Sequence, residues 1–166
     1  MKNFAYGSNM CRDRLLDRVP SARYEFVASL SGHALRFHKR SSDGSAKADA
    51  FFTGEAKDKV WGVVVDVSDE DRWKLDRAEG LGRGYANQGV TVYDRDGSPH
   101  QAVAYMAQDS HVDSQLRPYD WYSELVADGA RARGLPDAYV KEVESVHAVP
   151  DPEPNRPSRP PDDRVC

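Results

Sequence analysis

Hydrophobic positions along the chain fall into short alternating or continuous runs, separated by glycine, serine and aspartate and interleaved with a few stretches at helical spacing. Phe4-Ala5-Tyr6 is an apolar run that breaks at Gly7-Ser8-Asn9-Met10, and Leu15, Leu16 and Val19 then recur at helical intervals up to Pro20. The opening therefore predicts a strand, a tight turn and a short helix over Arg12 to Val19. From Arg23 to His38 the alternation is looser and is interrupted at Ser31-Gly32, which predicts two strands or one bent strand. Lys39 to Lys47 is rich in Ser, Asp and Gly and predicts a surface loop, followed by a strand at Ala50 to Gly54. Val60 to Val67 is almost continuously apolar and β-branched, a pattern suited to a strand buried on both faces at the centre of a sheet.

Ser68 offers an N-cap, and Asp69, Glu70 and Asp71 would fill a first helical turn, where the helix dipole favours negative charge. This helix runs through Trp73, Leu75 and Ala78 and must stop at Gly80, because Gly80, Gly82 and Gly84 make further helix costly. Val90 to Tyr93 and Gln101 to Met106 flank Asp94-Arg95-Asp96-Gly97 and predict a β-hairpin. Tyr119 to Arg133 is amphipathic, with Tyr122, Leu125, Val126, Gly129 and Ala130 on one stripe and Gly134 as terminator. Pro136 opens a last helix whose buried side is Tyr139, Val140 and Val143. From Pro150 onward six prolines alternate with charges, so residues 148–166 are expected to be a disordered or extended tail. Strands and helices in no regular βαβ order over residues 1–147 indicate an α+β domain.

Composition narrows the partners. A chain of 166 residues with 39% hydrophobic content suits one compact domain. Its net charge of −4, with both signs interspersed, provides no basic face for a nucleic acid. No segment approaches membrane-spanning length, and Met1-Lys2-Asn3-Phe4-Ala5 enters the first strand without an apolar leader. The expectation is a soluble, cytoplasmic protein with no membrane partner. Cys11 and Cys166 are the only cysteines, one beside the turn and one in the polar tail, and both are expected to be free thiols. His33, His38, His100, His111 and His147 are scattered without metal-ligand spacing, so neither a metal nor another cofactor is expected.

Two features could carry chemistry. A strand, Gly-Ser-Asn turn and helix start direct several backbone N–H groups at one spot, forming an anion-sized cradle over Tyr6, Gly7, Ser8 and Asn9. A Cβ at Gly7 is expected to crowd it. The second feature is Glu79, the last side chain before the glycine break. Helix C-termini disfavour carboxylates, so that position is expected to raise the pKa of Glu79 toward the range of a general acid/base. Each feature also has an ordinary reading: a ligand-free turn in which Asn9 caps a helix, and a solvated glutamate. Ser8 as a hydrolase nucleophile lacks the second glycine of a nucleophile elbow, and Cys11 is read as packing. Trp61, Trp73 and Trp121 fall on predicted buried stripes. Tyr85 and Tyr105 flank the glycine loop and the strand before Met106, and either phenol could face a site.

Taken in order, these pieces resemble a family. Phe4-Ala5-Tyr6-Gly7-Ser8-Asn9 resembles the Tyr-Gly-Ser-Asn opening of the γ-glutamylcyclotransferases, within the AIG2-like superfamily. Val60-Trp61-Gly62-Val63-Val64 is similar to their central strand, and Leu75-Asp76-Arg77-Ala78-Glu79-Gly80 to the segment that carries their catalytic glutamate. Gly134-Leu135-Pro136 followed by Tyr139 is similar to their last helical pair, so the resemblance runs from Asn3 to His147. Asn9 is nearer the general γ-glutamyl amino acid enzymes than the branches with leucine at that position. The resemblance implies a small mixed-strand β-barrel flanked by α-helices, with Glu79 and the turn meeting at one rim. It implies cyclisation of a small-molecule γ-glutamyl amide to 5-oxoproline, with Glu79 moving the protons, the turn holding the substrate, and Tyr85 and Tyr105 as further contacts. Removal of a γ-glutamyl protecting group by the same chemistry, a non-catalytic ligand-binding module of the same fold, and a Ser8 or Cys11 hydrolase stay open at this point, as does monomer versus homodimer.

Overall fold

A computed structural model describes residues 1–166. The strands are β1 (Lys2–Ala5), β2 (Arg23–Ser31), β3 (His33–Arg40), β4 (Ala46–Phe52), β5 (Lys59–Asp66), β6 (Tyr85–Asp94) and β7 (Pro99–Ala107). The helices are α1 (Arg12–Arg18), α2 (Arg72–Glu79), α3 (Asp120–Ala132) and α4 (Asp137–Glu144), with single 3-10 turns at Ser8–Met10, Asp69–Asp71 and Asp109–His111. Five strands close a barrel in the order β1-β5-β2-β6-β7, while β3 and β4 pair separately. The seam is parallel, Asn3 of β1 facing Val103 of β7, and the other barrel pairings are antiparallel. This is the mixed barrel with flanking helices that the resemblance implies.

The valine run of β5 is the middle of this sheet because both its edges are used. Phe4 pairs with Val64 on one side and Val27 with Val63 on the other. Val60, Val63, Val64 and Val65 are all buried, together with Phe4, Leu15, Leu75 and Val126 in a single core. Burial of such side chains stabilises by about 1.5–3 kcal/mol each, so the end of β1, where the Gly7 turn begins, is fixed to the best-packed part of the molecule.

Some local expectations shift. Lys39 and Arg40 belong to β3, and Ala46 and Lys47 to β4, so the predicted Lys39–Lys47 loop contracts. A bulge between Phe37 and Lys39 turns the Lys39 side chain inward, where its ammonium lies 4.6 Å from the centre of the Tyr85 ring. Ser68 donates no cap; its hydroxyl bonds Ser21 Oγ at 3.1 Å, the acidic triplet forms a 3-10 turn, and α2 starts only at Arg72. Leu75 is the buried anchor of that helix, and Trp73, expected to be buried, is exposed.

The largest departure concerns the two cysteines, which are not free thiols: Cys11 and Cys166 form a disulfide across 155 positions of sequence. Residues 148–166, expected to be disordered or extended, contain no helix or strand, yet polar contacts fasten them to the barrel. Asp151 accepts from Trp121 Nε1 at 2.8 Å and pairs with Arg156 through two bonds. Arg164 reaches Asp128, and the carbonyls of Val165 and Cys166 accept from the backbone N–H groups of Asp13 and Arg12. Those last two bonds satisfy N–H groups that the first turn of a helix leaves unpaired, a site for which the proline-rich composition gives no warning.

Candidate active site

The turn after β1 is positioned by α3. A Cβ at Gly129 would lie 2.8 Å from Met10 Cβ and 2.9 Å from the Cys11 backbone nitrogen, so only glycine lets the helix lie directly on the 3-10 turn. Glu79 is positioned by Gly80, which takes φ +66° and closes α2 as its N–H donates to Arg77 O at 3.1 Å. That left-handed stop projects Glu79 toward the Gly7-Ser8-Asn9 turn instead of continuing the helix past it.

The two features meet around one cavity of about 40 Å³. All the residues singled out in sequence line it: Tyr6, Gly7, Ser8, Asn9, Glu79, Tyr85 and Tyr105. The backbone N–H groups of Tyr6 and Gly7 donate to no acceptor in the protein. Those of Ser8 and Asn9 open the 3-10 turn and so have no acceptor within it. Gly7 itself sits at φ −117°, outside the left-handed region, and a Cβ there would touch Ala48 Cβ at 3.4 Å and Tyr122 Oη at 3.5 Å. Alanine is therefore accommodated, and the expected crowding starts only with larger side chains.

Asn9 contributes more than its backbone. Its Oδ1 accepts from Arg18 Nη1 at 2.7 Å, which orients the amide so that Nδ2 donates to Glu79 Oε1 at 2.5 Å. Arg18 Nη1 also stands 3.6 Å from the same carboxylate oxygen, and Asn9 O accepts from the Tyr24 hydroxyl at 2.8 Å. Oε1 is thus held from two sides, while Oε2 has no hydrogen-bond partner in the protein. Asn9 and Arg18 are positioning residues for Glu79. If Glu79 is the acid/base, removing the amide as Asn9→Ala is expected to lower turnover by about tenfold with KM changed far less, because a misplaced acid/base weakens the transition state more than the ground state; steady-state kinetics of that variant measure the split.

The tyrosines mainly build walls. Tyr6 donates to Tyr105 O, Tyr85 to Ala48 O at 2.5 Å, and Tyr105 to Asp76 Oδ1 at 2.5 Å. Burial pushes all three phenols above their ordinary range, with Asp76 adding to the rise at Tyr105, so they remain neutral donors. Tyr122, which drew no attention as a site residue in sequence, accepts from the Ala48 N–H at 3.2 Å and lines the same cavity. Arg18 also escaped notice, since nothing in a short charged helix marks one arginine from its neighbours. Cys11 is committed to its disulfide, and no histidine lines the cavity; Ser8 and Cys11 consequently lack what a hydrolytic nucleophile needs. Nowhere do three or more His, Cys, Asp or Glu side chains gather as metal ligands.

A closed five-stranded mixed barrel, with a glycine turn and a helix-end glutamate facing one cavity, defines a γ-glutamylcyclotransferase-like fold. Comparison with known proteins makes this specific. Residues 59–143 match the AIG2-like family. A bovine γ-glutamylcyclotransferase is 32% identical over 147 residues, covering 86% of this chain and 77% of the relative, and the human enzyme is 29% identical over 148 residues. A solved γ-glutamyl cyclotransferase superposes with a TM-score of 0.83 at 27% identity, over 94% of this chain and 92% of that one. The chain belongs to the γ-glutamylcyclotransferase family.

Proposed function

We propose that this protein cleaves a small γ-glutamyl amide by intramolecular cyclisation, releasing 5-oxoproline and an amine or amino acid, with Glu79 as the proton carrier. The free α-amine of the γ-glutamyl group attacks its own γ-carbonyl, closing a five-membered ring as the amide C–N bond breaks. Because nucleophile and electrophile share one molecule, holding the chain curled supplies much of the rate. The Tyr6 and Gly7 N–H groups are suited to a substrate oxygen or carboxylate. The α-ammonium must lose a proton before attack and the leaving nitrogen must gain one. A single carboxyl group between them serves both steps.

One observation carries this reading: Glu79 is fixed through Oε1 by Asn9 and Arg18, while Oε2 is unpartnered beside the cavity. The test is to incubate the protein with a panel of γ-glutamyl amides and identify the acidic product by mass. The expected product is 5-oxoproline. Free glutamate would instead indicate a hydrolase, and an unchanged panel a binding module.

No helix is long and apolar enough to cross a membrane, and the cytoplasmic location is part of the proposal. There the Cys11–Cys166 pair would meet a reducing milieu, in which disulfides are uncommon; thiol alkylation during cell lysis reads its state directly.

A further inference from the structure

Outside the inner cavity lies a second, larger cleft of about 210 Å³ that shares Ser8, Glu79, Tyr85 and Tyr122 with it. On the cyclisation reading, on which this inference rests, those shared residues mark where the reacting amide sits. The γ-glutamyl head then lies inward and the leaving group outward, in the larger cleft.

The charges of that cleft do not balance. Its wall carries Arg14, Arg18, Lys39 and Lys47 against Asp43 and Glu79. Lys47 is spoken for by Asp43 at 2.7 Å, and Arg18 stands against Glu79 at 3.6 Å. Lys39 and Arg14 form no ion pair at contact distance, although Glu79 and Asp43 face the same cleft. Lys39 is only 8% exposed, and its ammonium makes no hydrogen bond, lying over the Tyr85 ring instead. Arg14 donates through Nη1 to Ser158 O at 3.0 Å, but its Nε is buried without an acceptor. Burial lowers the pKa of Lys39, with Glu79 pulling it back up. Burial and then the neighbouring Arg18 lower Arg14 to about 10. A cation with reduced access to water and no counterion at contact distance is costly, and two of them facing one cleft form a site for negative charge.

The geometry points to a leaving group that carries two carboxylates, an acidic α-amino acid held by Lys39 and Arg14. With the γ-glutamyl α-carboxylate on the backbone N–H groups of the turn, both unpaired cations remain for the outer half of the substrate. A plain amine would leave both unmatched, and a neutral amino acid would leave one. Lys39 and Arg14 are then specificity residues: they bind the part of the substrate that departs and take no part in proton transfer.

The experiment separates binding from turnover. Calorimetry on the Glu79→Gln protein would compare γ-glutamyl-glutamate, γ-glutamyl-alanine and γ-glutamyl-ethylamide, which carry two, one and no leaving-group carboxylates. The expected result is a loss of about tenfold in affinity at each step down, the size of a charge-assisted hydrogen bond. Adding Lys39→Met should make γ-glutamyl-glutamate bind about as weakly as γ-glutamyl-alanine does, while Lys39→Arg, which keeps the charge, should preserve the preference. Affinities within twofold of one another, equal weakening of all three ligands by Lys39→Met, or no binding of the dicarboxylate would overturn the inference. Turnover by the unsubstituted protein is scored separately. Discrimination in binding with no 5-oxoproline from any ligand upholds the charge inference and sinks the cyclisation reading. Turnover of all three at equal kcat/KM does the reverse.

Discussion

Glu79→Gln is expected to lower 5-oxoproline formation by about 10²–10⁴-fold, the usual reach of general acid–base catalysis, with little change in fold or substrate affinity. The geometry makes this substitution unusually clean. Glutamine retains an oxygen that can accept from Asn9 Nδ2, as Glu79 Oε1 does, and that stays near Arg18, so the side chain should keep its place. The unpartnered oxygen becomes an NH₂ group, which can neither accept the α-ammonium proton nor pass one to the leaving nitrogen. Single-turnover kinetics with a γ-glutamyl amide, together with a melting curve, measure both halves of the claim. Turnover within a few-fold of the parent would remove Glu79 from the chemistry. A collapse in thermal stability would show instead that its role is to hold Asn9 and Arg18 in place.

The legible parts of this protein are those whose signal is local. The valine run predicts β5 as the centre of a sheet; the glycines after Ala78 predict where α2 stops; Asp94 to Gly97 predicts a hairpin whose strands extend further than the apolar residues alone indicate. The turn and Glu79 are legible as separate oddities, and the resemblance pairs them across seventy positions. What escapes sequence reading depends on contacts between distant polar groups. Lys39 sits in a stretch whose composition reads as loop, and its burial becomes visible only once the β3 bulge turns it onto Tyr85. Arg14 and Arg18 lie on a helix that shows only one buried residue, Leu15, so periodicity carries no information about its cationic face. Barrel closure through the single parallel register between β1 and β7 is likewise absent from any local pattern.

Reduction of Cys11–Cys166, or Cys166→Ser, is expected to lower stability by about 3 kcal/mol, the middle of the usual range for a cross-link that restricts the unfolded chain. For a protein of this size that corresponds to a Tm lower by roughly 6–12 °C. The tail should lose its place at the same time. Its attachment rests on polar contacts, among them Arg12 N–H to Cys166 O at 3.3 Å, Asp13 N–H to Val165 O at 3.1 Å, and Arg133 Nη2 to Cys166 O at 2.5 Å. Each such bond contributes about 1 kcal/mol net, whereas ordering each backbone residue costs about 1–2 kcal/mol. Val165, the one large apolar side chain near the end, remains 59% exposed and adds little burial. Without the sulfur bridge the segment therefore has too few contacts to stay ordered, and its release would also take Ser158 O away from Arg14 at the cleft wall. Hydrogen exchange with and without reductant should show faster exchange confined to residues 150–166 and the first turn of α1, with the β5 amides still protected. An unchanged Tm, or loss of protection spread evenly over the barrel, would contradict this account of the tail.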